Sequence, residues 1–172
     1  MKNILLVGAS SEAAISLYKN YKHQYNFIRL SREDSESCVS KFDILEPNTY
    51  YTKDIKYDGL VYFPGTINLK PFKSLKIDDF YDDLNVSVIG LVKILKHYHA
   101  SLNTGSSLVF ISSLASKVGM PFHSSVAVAK SALVGLCNAL AAEFSPDIRV
   151  NCISPSMFKS KMSSRFLRNE KS

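Results

Sequence analysis

Two stretches of this 172-residue chain carry residues whose type and spacing suit a phosphorylated ligand. The first is Leu6-Val7-Gly8-Ala9-Ser10-Ser11-Glu12-Ala13-Ala14, where an apolar run stops at a glycine and small residues lead into a helical pattern. Such a turn points backbone N–H groups and the positive end of a helix dipole at a pyrophosphate. Gly8 stands alone of the usual three glycines, so the same residues also suit an ordinary strand–helix junction. The second stretch is Ser31-Arg32, after the next apolar run. With Ser31 where an acidic residue would hold a ribose 2′-hydroxyl, the Arg32 guanidinium suits a 2′-phosphate by charge and fork geometry. A solvated loop arginine fits equally well. His123 adds an imidazole suited to proton transfer near neutrality, or a histidine at a helix start that bonds locally.

These residues need elements to position them. Asn3–Val7, Asn26–Leu30, Gly59–Phe63, Leu108–Ile111 and, less purely, Ile148–Ile153 are short, near-continuous apolar runs. Runs without clean alternation suit parallel strands covered on both faces. Between them the pattern predicts helices over Glu12–Tyr21, Ile77–His99 and Phe122–Phe144. Strands alternating with helices imply a doubly wound α/β sheet with right-handed crossovers. From Arg32 to Asp58 helical periodicity is poor; only a short strand around Lys41–Ile44 fits, and the connections there are expected to be loops or single turns.

Composition sets the class. Hydrophobic residues make up 46% and charged residues 21%, a globular balance, and the length suits one domain. No apolar run approaches the roughly 18 residues of a membrane span. The N-terminus reads as a buried strand and not as a signal peptide, so a cytoplasmic address is expected. Cys38, Cys137 and Cys152 are odd in number and lack a CxxC, which argues against disulfides and zinc and for reduced thiols, the last two as core fillers. Of the net +6, the segment from Lys159 to Ser172 carries +4. The body shows no basic stripe with interleaved aromatics, so neither nucleic acid nor membrane is an expected partner.

A further set of segments is ordered along the chain: Phe63-Pro64-Gly65, Leu84-Asn85-Val86, Ile111-Ser112-Ser113, Lys130-Ser131-Ala132-Leu133 and Ile148-Arg149-Val150-Asn151-Cys152-Ile153-Ser154-Pro155. Together they resemble the short-chain dehydrogenase/reductase family from Lys2 to about Met162. Ser113 placed seventeen residues before Lys130, and the IRVNCISP segment, are the most diagnostic. The resemblance implies a Rossmann-type three-layer αβα sheet as a single domain, its core over residues 1–155 with 156–172 a partial substrate loop. It implies hydride exchange between NADP(H), with NAD(H) as the alternate, and a small carbonyl or alcohol. By the same resemblance Gly8, Ser10 and Ser11 cradle phosphates, Asp43 lies near the adenine and Gly65 admits the cofactor. Pro155 and Ser160 hold the nicotinamide end. Lys130 binds ribose hydroxyls and orients the proton donor, Ser113 bonds the substrate oxygen, and Asn85 organises a relay water.

The sequence departs from that family where it matters most. The family's proton donor is a Tyr four residues before the Lys, and Val126 stands there. Loss of a positioned acid costs about 10²–10⁴ in rate. His123, seven residues before Lys130, occupies the spacing used by the enoyl-reductase branch, though about 10 Å from it along a helix axis. Tyr62 and Phe63 replace a pair of Asn, which implies aromatic packing in place of a polar clasp. Glu12, Ala14 and Ser156 replace glycines. The chain stops at Ser172, before the family's last edge strand and lid. The two long helices, with Ala127, Ala129, Ala132, Ala139 and Ala142, would pair in a homodimer or homotetramer. The competing expectation is an inactive NAD(P)-binding module or a truncated structural or partner subunit.

Overall fold

The computed structural model describes residues 1–32 and 42–156. Five strands, β1 (Lys2–Val7), β2 (Tyr25–Leu30), β3 (Tyr57–Tyr62), β4 (Leu102–Ile111) and β5 (Arg149–Ile153), form one parallel sheet in the order β2-β1-β3-β4-β5. It is a Rossmann-type sheet. Each apolar run of the sequence lies on a strand, and β4 extends back through the polar Asn103–Ser106, where its register to β3 shifts. Among the described residues the sheet ends at β5, which pairs with β4 alone.

Strand register writes the core in rows. Ile28, Leu5, Leu60, Leu108 and Val150 are successive partners across all five strands, and Leu30, Val7, Tyr62, Phe110 and Cys152 form the next row. Both rows pack against Leu91, Ile94, Leu133 and Cys137 of the helices on that face. The opposite row reads Arg29, Leu6, Val61, Val109 and Asn151. There α1 (Glu12–Tyr21) covers the β1–β2 side, while Val61 and Val109 remain half-buried and Asn151 exposed. The expected cover on both faces therefore holds for β1 and β2 and not for β3 to β5 among the described residues. The apolar runs concealed this because valine and isoleucine serve a half-covered face as well as a covered one.

The predicted helix Ile77–His99 is a rod in three parts: α2 (Ile77–Leu84), a π turn (Asn85–Ile89) and α3 (Gly90–Tyr98). The cause is visible. The buried Tyr62 hydroxyl donates to the Val86 carbonyl at 2.6 Å, which in a regular helix would accept the Gly90 N–H; that N–H bonds Asn85 O instead. A side chain inserted into the ladder lengthens one turn. Tyr62 thus both fills the core and clasps the helix, correcting the expectation of aromatic packing alone. The last helix, α4 (Ser124–Glu143), starts later than predicted, because Phe122 sits at φ +66° and His123 is the cap. By length and composition α4 could cross a membrane, a feature the sequence expectation overlooked, since its Ser and Lys positions interrupt every apolar run. Here its Ala129, Leu133 and Cys137 are buried within the fold.

Among the described residues of the crossover from β2 to β3, residues 42–56 form a loop with one 3₁₀ turn, Pro47–Thr49. Phe42 to Ile44 form no strand: only the Phe42 N–H reaches β2's extension, at Ser31 O, and the Asp43 N–H turns away to the Thr49 hydroxyl. Lys41, Cys38, Ser160 and the basic segment from Lys159 lie outside the described residues.

Candidate active-site crevice

The chain leaves β1 toward β2 on one side and returns from β2 to β3 on the other. This reversal of strand order opens a crevice at the carboxyl ends of β1 and β3, where ligands of open α/β sheets bind. Gly8 forms its wall at φ +79°, a backbone state suited to glycine, and a Cβ there would stand 3.0 Å from Pro64 of the facing loop. The Gly8 and Ala9 N–H groups both bond Leu30 O, and the Ser11 hydroxyl caps α1 by accepting from Ala14 N–H. Ser10 is exposed beside the first turn of α1, the turn a phosphate would face. Ser31 is buried at the end of β2 and Arg32 follows it exposed, at the same rim. One carboxylate oxygen of Asp43 accepts from the Leu45 N–H, closing its own turn.

The second half of the crevice is built where β4 meets α4. Lys130 is 7% exposed, and its Nζ donates to Ile111 O at 2.9 Å at the carboxyl end of β4. A Cβ on Gly65 would lie 2.8 Å from that Nζ, so only a glycine leaves the ammonium its place. Burial pulls the Lys130 ammonium down to about 8, opposed by the negative charges available at Cys152 and Asp83. The Ser112 hydroxyl donates to the Lys130 carbonyl, tying strand to helix, and Leu114 N–H donates to Pro155 O, bringing the loop after β5 to the same edge. Ser113 is half-buried; its oxygen accepts the Ala115 N–H at 3.2 Å, and its hydroxyl proton remains to donate.

Val126 is 6% exposed, an apolar side chain on the face of α4 that also carries Lys130. His123 lies outside the helix, and its Nδ1 is 2.6 Å from Pro121 O. A carbonyl only accepts, so the proton is on Nδ1, and Nε2 can give one up only from the imidazolium. Asn85 is exposed on the π turn with its carbonyl spent on Gly90. The fold therefore gathers Gly8, Ser10, Gly65, Ser113, Lys130 and Pro155 along one crevice. It commits Ser11, Asp43 and His123 to local bonds.

A family model described as enoyl-(acyl carrier protein) reductase matches residues 48–172. The chain belongs to the short-chain dehydrogenase/reductase family. It is 34% identical over 92 residues to the short-chain dehydrogenase/reductase SDRA of Arabidopsis thaliana, an alignment covering 54% of this chain and 35% of that one. Its fold is similar to that of a 4-hydroxyisoleucine dehydrogenase complexed with NADH, with TM-score 0.84, 20% identity and 99% and 79% of the two chains covered. It is also similar to ElxO with NADP bound, with TM-score 0.81, 20% identity and 99% and 80% covered. The chain spans 24% to 42% of the length of the curated relatives it matches.

The crevice of this family member fits a dinucleotide on its own chemistry. Two glycines hold positions a Cβ would fill, the α1 N-terminus faces one end, and Lys130 spends one of its three N–H donors on Ile111. Sequence reasoning missed Asp83. This carboxylate is 1% exposed and accepts from the Thr66 hydroxyl and, at 2.9 Å, from the Asn68 amide. A signal existed: the stripe Tyr98, Ile94, Leu91, Ser87 projected back at helical spacing lands on Asp83.

Proposed function

We propose that this chain binds NADP(H), with NAD(H) as the alternate, and exchanges hydride with a small carbonyl or alcohol at a site whose proton donor differs from the family's Tyr. The observation that carries this reading is the buried Lys130 ammonium, fixed between Ile111 O and Gly65 beside Ser113. With one N–H donated to Ile111 O, two donors remain that a ligand in the crevice can take up. The NADH and NADP complexes among the solved structures of like fold support the cofactor class, and the exposed Arg32 at the rim supports a 2′-phosphate. The bound nicotinamide would supply or accept the hydride. Lys130 would hold ribose hydroxyls, Ser113 would donate to the substrate oxygen, and Pro155 with Ser160 would close the nicotinamide end. Asn85 would organise the relay water.

Val126 has no proton to give, so the donor is His123, as its imidazolium through Nε2, or water held by Ser113. We further read Ile77, Tyr81 and Val128, exposed on α2 and α4 with Ala132, Ala139 and Ala142, as the face of a cytoplasmic homodimer or homotetramer. Ala129 is buried in the core and takes no part in that face. NADPH fluorescence tests the reading. Saturating protein should enhance it, Lys130→Ala should weaken binding at least about tenfold, and His123→Ala should slow single-turnover carbonyl reduction by about 10²–10⁴. An unchanged NADPH spectrum would end it.

A second reading, a nucleotide-binding module without turnover, is favoured by Val126 and by the local bond of His123. NADPH binding with no reduction in either wild type or His123→Ala selects it.

A further inference from the structure

Asp83 is a carboxylate with half its bonding accounted for. Oδ1 takes the Thr66 and Asn68 donors, while Oδ2 is buried with no hydrogen-bond partner. A buried carboxylate oxygen without a donor is costly unless a charge answers it. Lys70, on the same loop as Thr66 and Asn68, is already paired with Asp79 at 2.7 Å. Lys130 is the buried cation of this region: α2, which carries Asp83, packs on α4, which carries Lys130, and a Cβ on Gly65, next to Thr66, would meet its ammonium.

We propose that the Asp83 carboxylate is the buried counter-ion of the Lys130 ammonium and, through Thr66 and Asn68, the tie that keeps Gly65 against it. The two groups do not form a contact ion pair: Oδ2 has no hydrogen-bond partner, and the ion pair of this region is Lys70 with Asp79. In a site closed to water their attraction acts at longer range than it would at the surface. The other groups bearing on Lys130 are few. From β5 the Cys152 thiol faces it, itself pushed up by burial; from α4 Cys137 reaches only Cys152; Lys117, beyond the short turn after β4, is exposed; the π turn offers no charge. Asp83 is thus a positioning residue for Lys130, which rests on the reading of Lys130 as a cofactor-site residue.

The test follows the Lys130 titration by lysine ¹³Cε NMR in cofactor-free protein, the resonance being assigned by its loss in Lys130→Met. Asp83→Asn keeps an acceptor for Thr66 and Asn68 and removes the charge; it should move the titration to lower pH by about half a unit or more. Thr66→Val and Asn68→Ala strip donors from the carboxylate and leave its charge less compensated; both should move it upward. A Lys130 titration unmoved by Asp83→Asn in folded protein overturns the proposal. If that variant fails to fold, the absence of an upward shift in both Thr66→Val and Asn68→Ala overturns it. NADPH fluorescence on the same samples separates the two readings: shifted titrations with no NADPH binding refute the cofactor site alone, whereas NADPH binding with unmoved titrations refutes the counter-ion alone.

Discussion

A lysine held almost out of water carries a stability cost that depends on pH, and Lys130 is such a residue. Burial lowers its folded pKa to about 8, below that of the unfolded chain near 10.5. Between those values the unfolded state binds more protons, so this residue's contribution to stability rises with pH; below about 8 its full penalty is present. Lys130→Met removes the titration. In urea denaturation the wild type should therefore gain on Lys130→Met as pH is raised from 7 to 9.5, by an amount on the order of 1–3 kcal/mol. Buried Cys137 and Tyr50, pushed up to about 11 and about 12 by burial, act in the opposite sense in both proteins and cancel in the difference. Ser113, Lys130 and Pro155 were legible as residues because their order and spacing are local to the chain. Asp83 was not, since its partners Thr66 and Asn68 come from the loop after β3 and not from its own helix.

At the scale of elements, the π turn is the feature the sequence could least announce. Asn85–Ile89 reads as ordinary helix, and nothing in its composition marks a widened turn. It exists because a tyrosine on β3, twenty-four residues earlier, takes the Val86 carbonyl. Gly90 is required for the same reason: a Cβ there would stand 2.7 Å from the Tyr62 hydroxyl. Tyr62→Phe should lower stability by about 1 kcal/mol in urea denaturation, since the half-buried Val86 carbonyl loses its donor. Amide exchange at Gly90 should change with it, because its N–H would be free to return to Val86. The start of α4 shows the same dependence on context. Phe122, at positive φ, gives its carbonyl to Lys70 N–H, and this tie to the loop after β3 is what sets His123 outside the helix.

For the whole molecule, the sheet's two faces are unequal among the described residues. The row Ile28, Leu5, Leu60, Leu108 and Val150 lies under α3 and α4, and its central members are fully buried. Leu60→Ala should cost about 2–5 kcal/mol, a large part of the 5–15 kcal/mol typical of a domain. Val109→Ala, on the half-covered face, should cost roughly 1 kcal/mol. The ratio of the two urea midpoint shifts checks whether α1 alone shields that face in solution; equal losses would mean it is covered as deeply as the first.

The order of elements, the parallel sheet and the family's diagnostic segments were all set by patterns within the chain: apolar runs of strand length, helical spacing between them, and motifs a few residues long. Local propensity and chain order suffice for these. What folding alone decided was which polar atoms meet. Tyr62 opening the helix at Val86, Gly65 yielding to the Lys130 ammonium, and Asp83 gathering Thr66 and Asn68 each depend on groups far apart in sequence being brought within hydrogen-bonding or van der Waals range. Such short-range interactions have no signature until the sheet register fixes where each side chain stands.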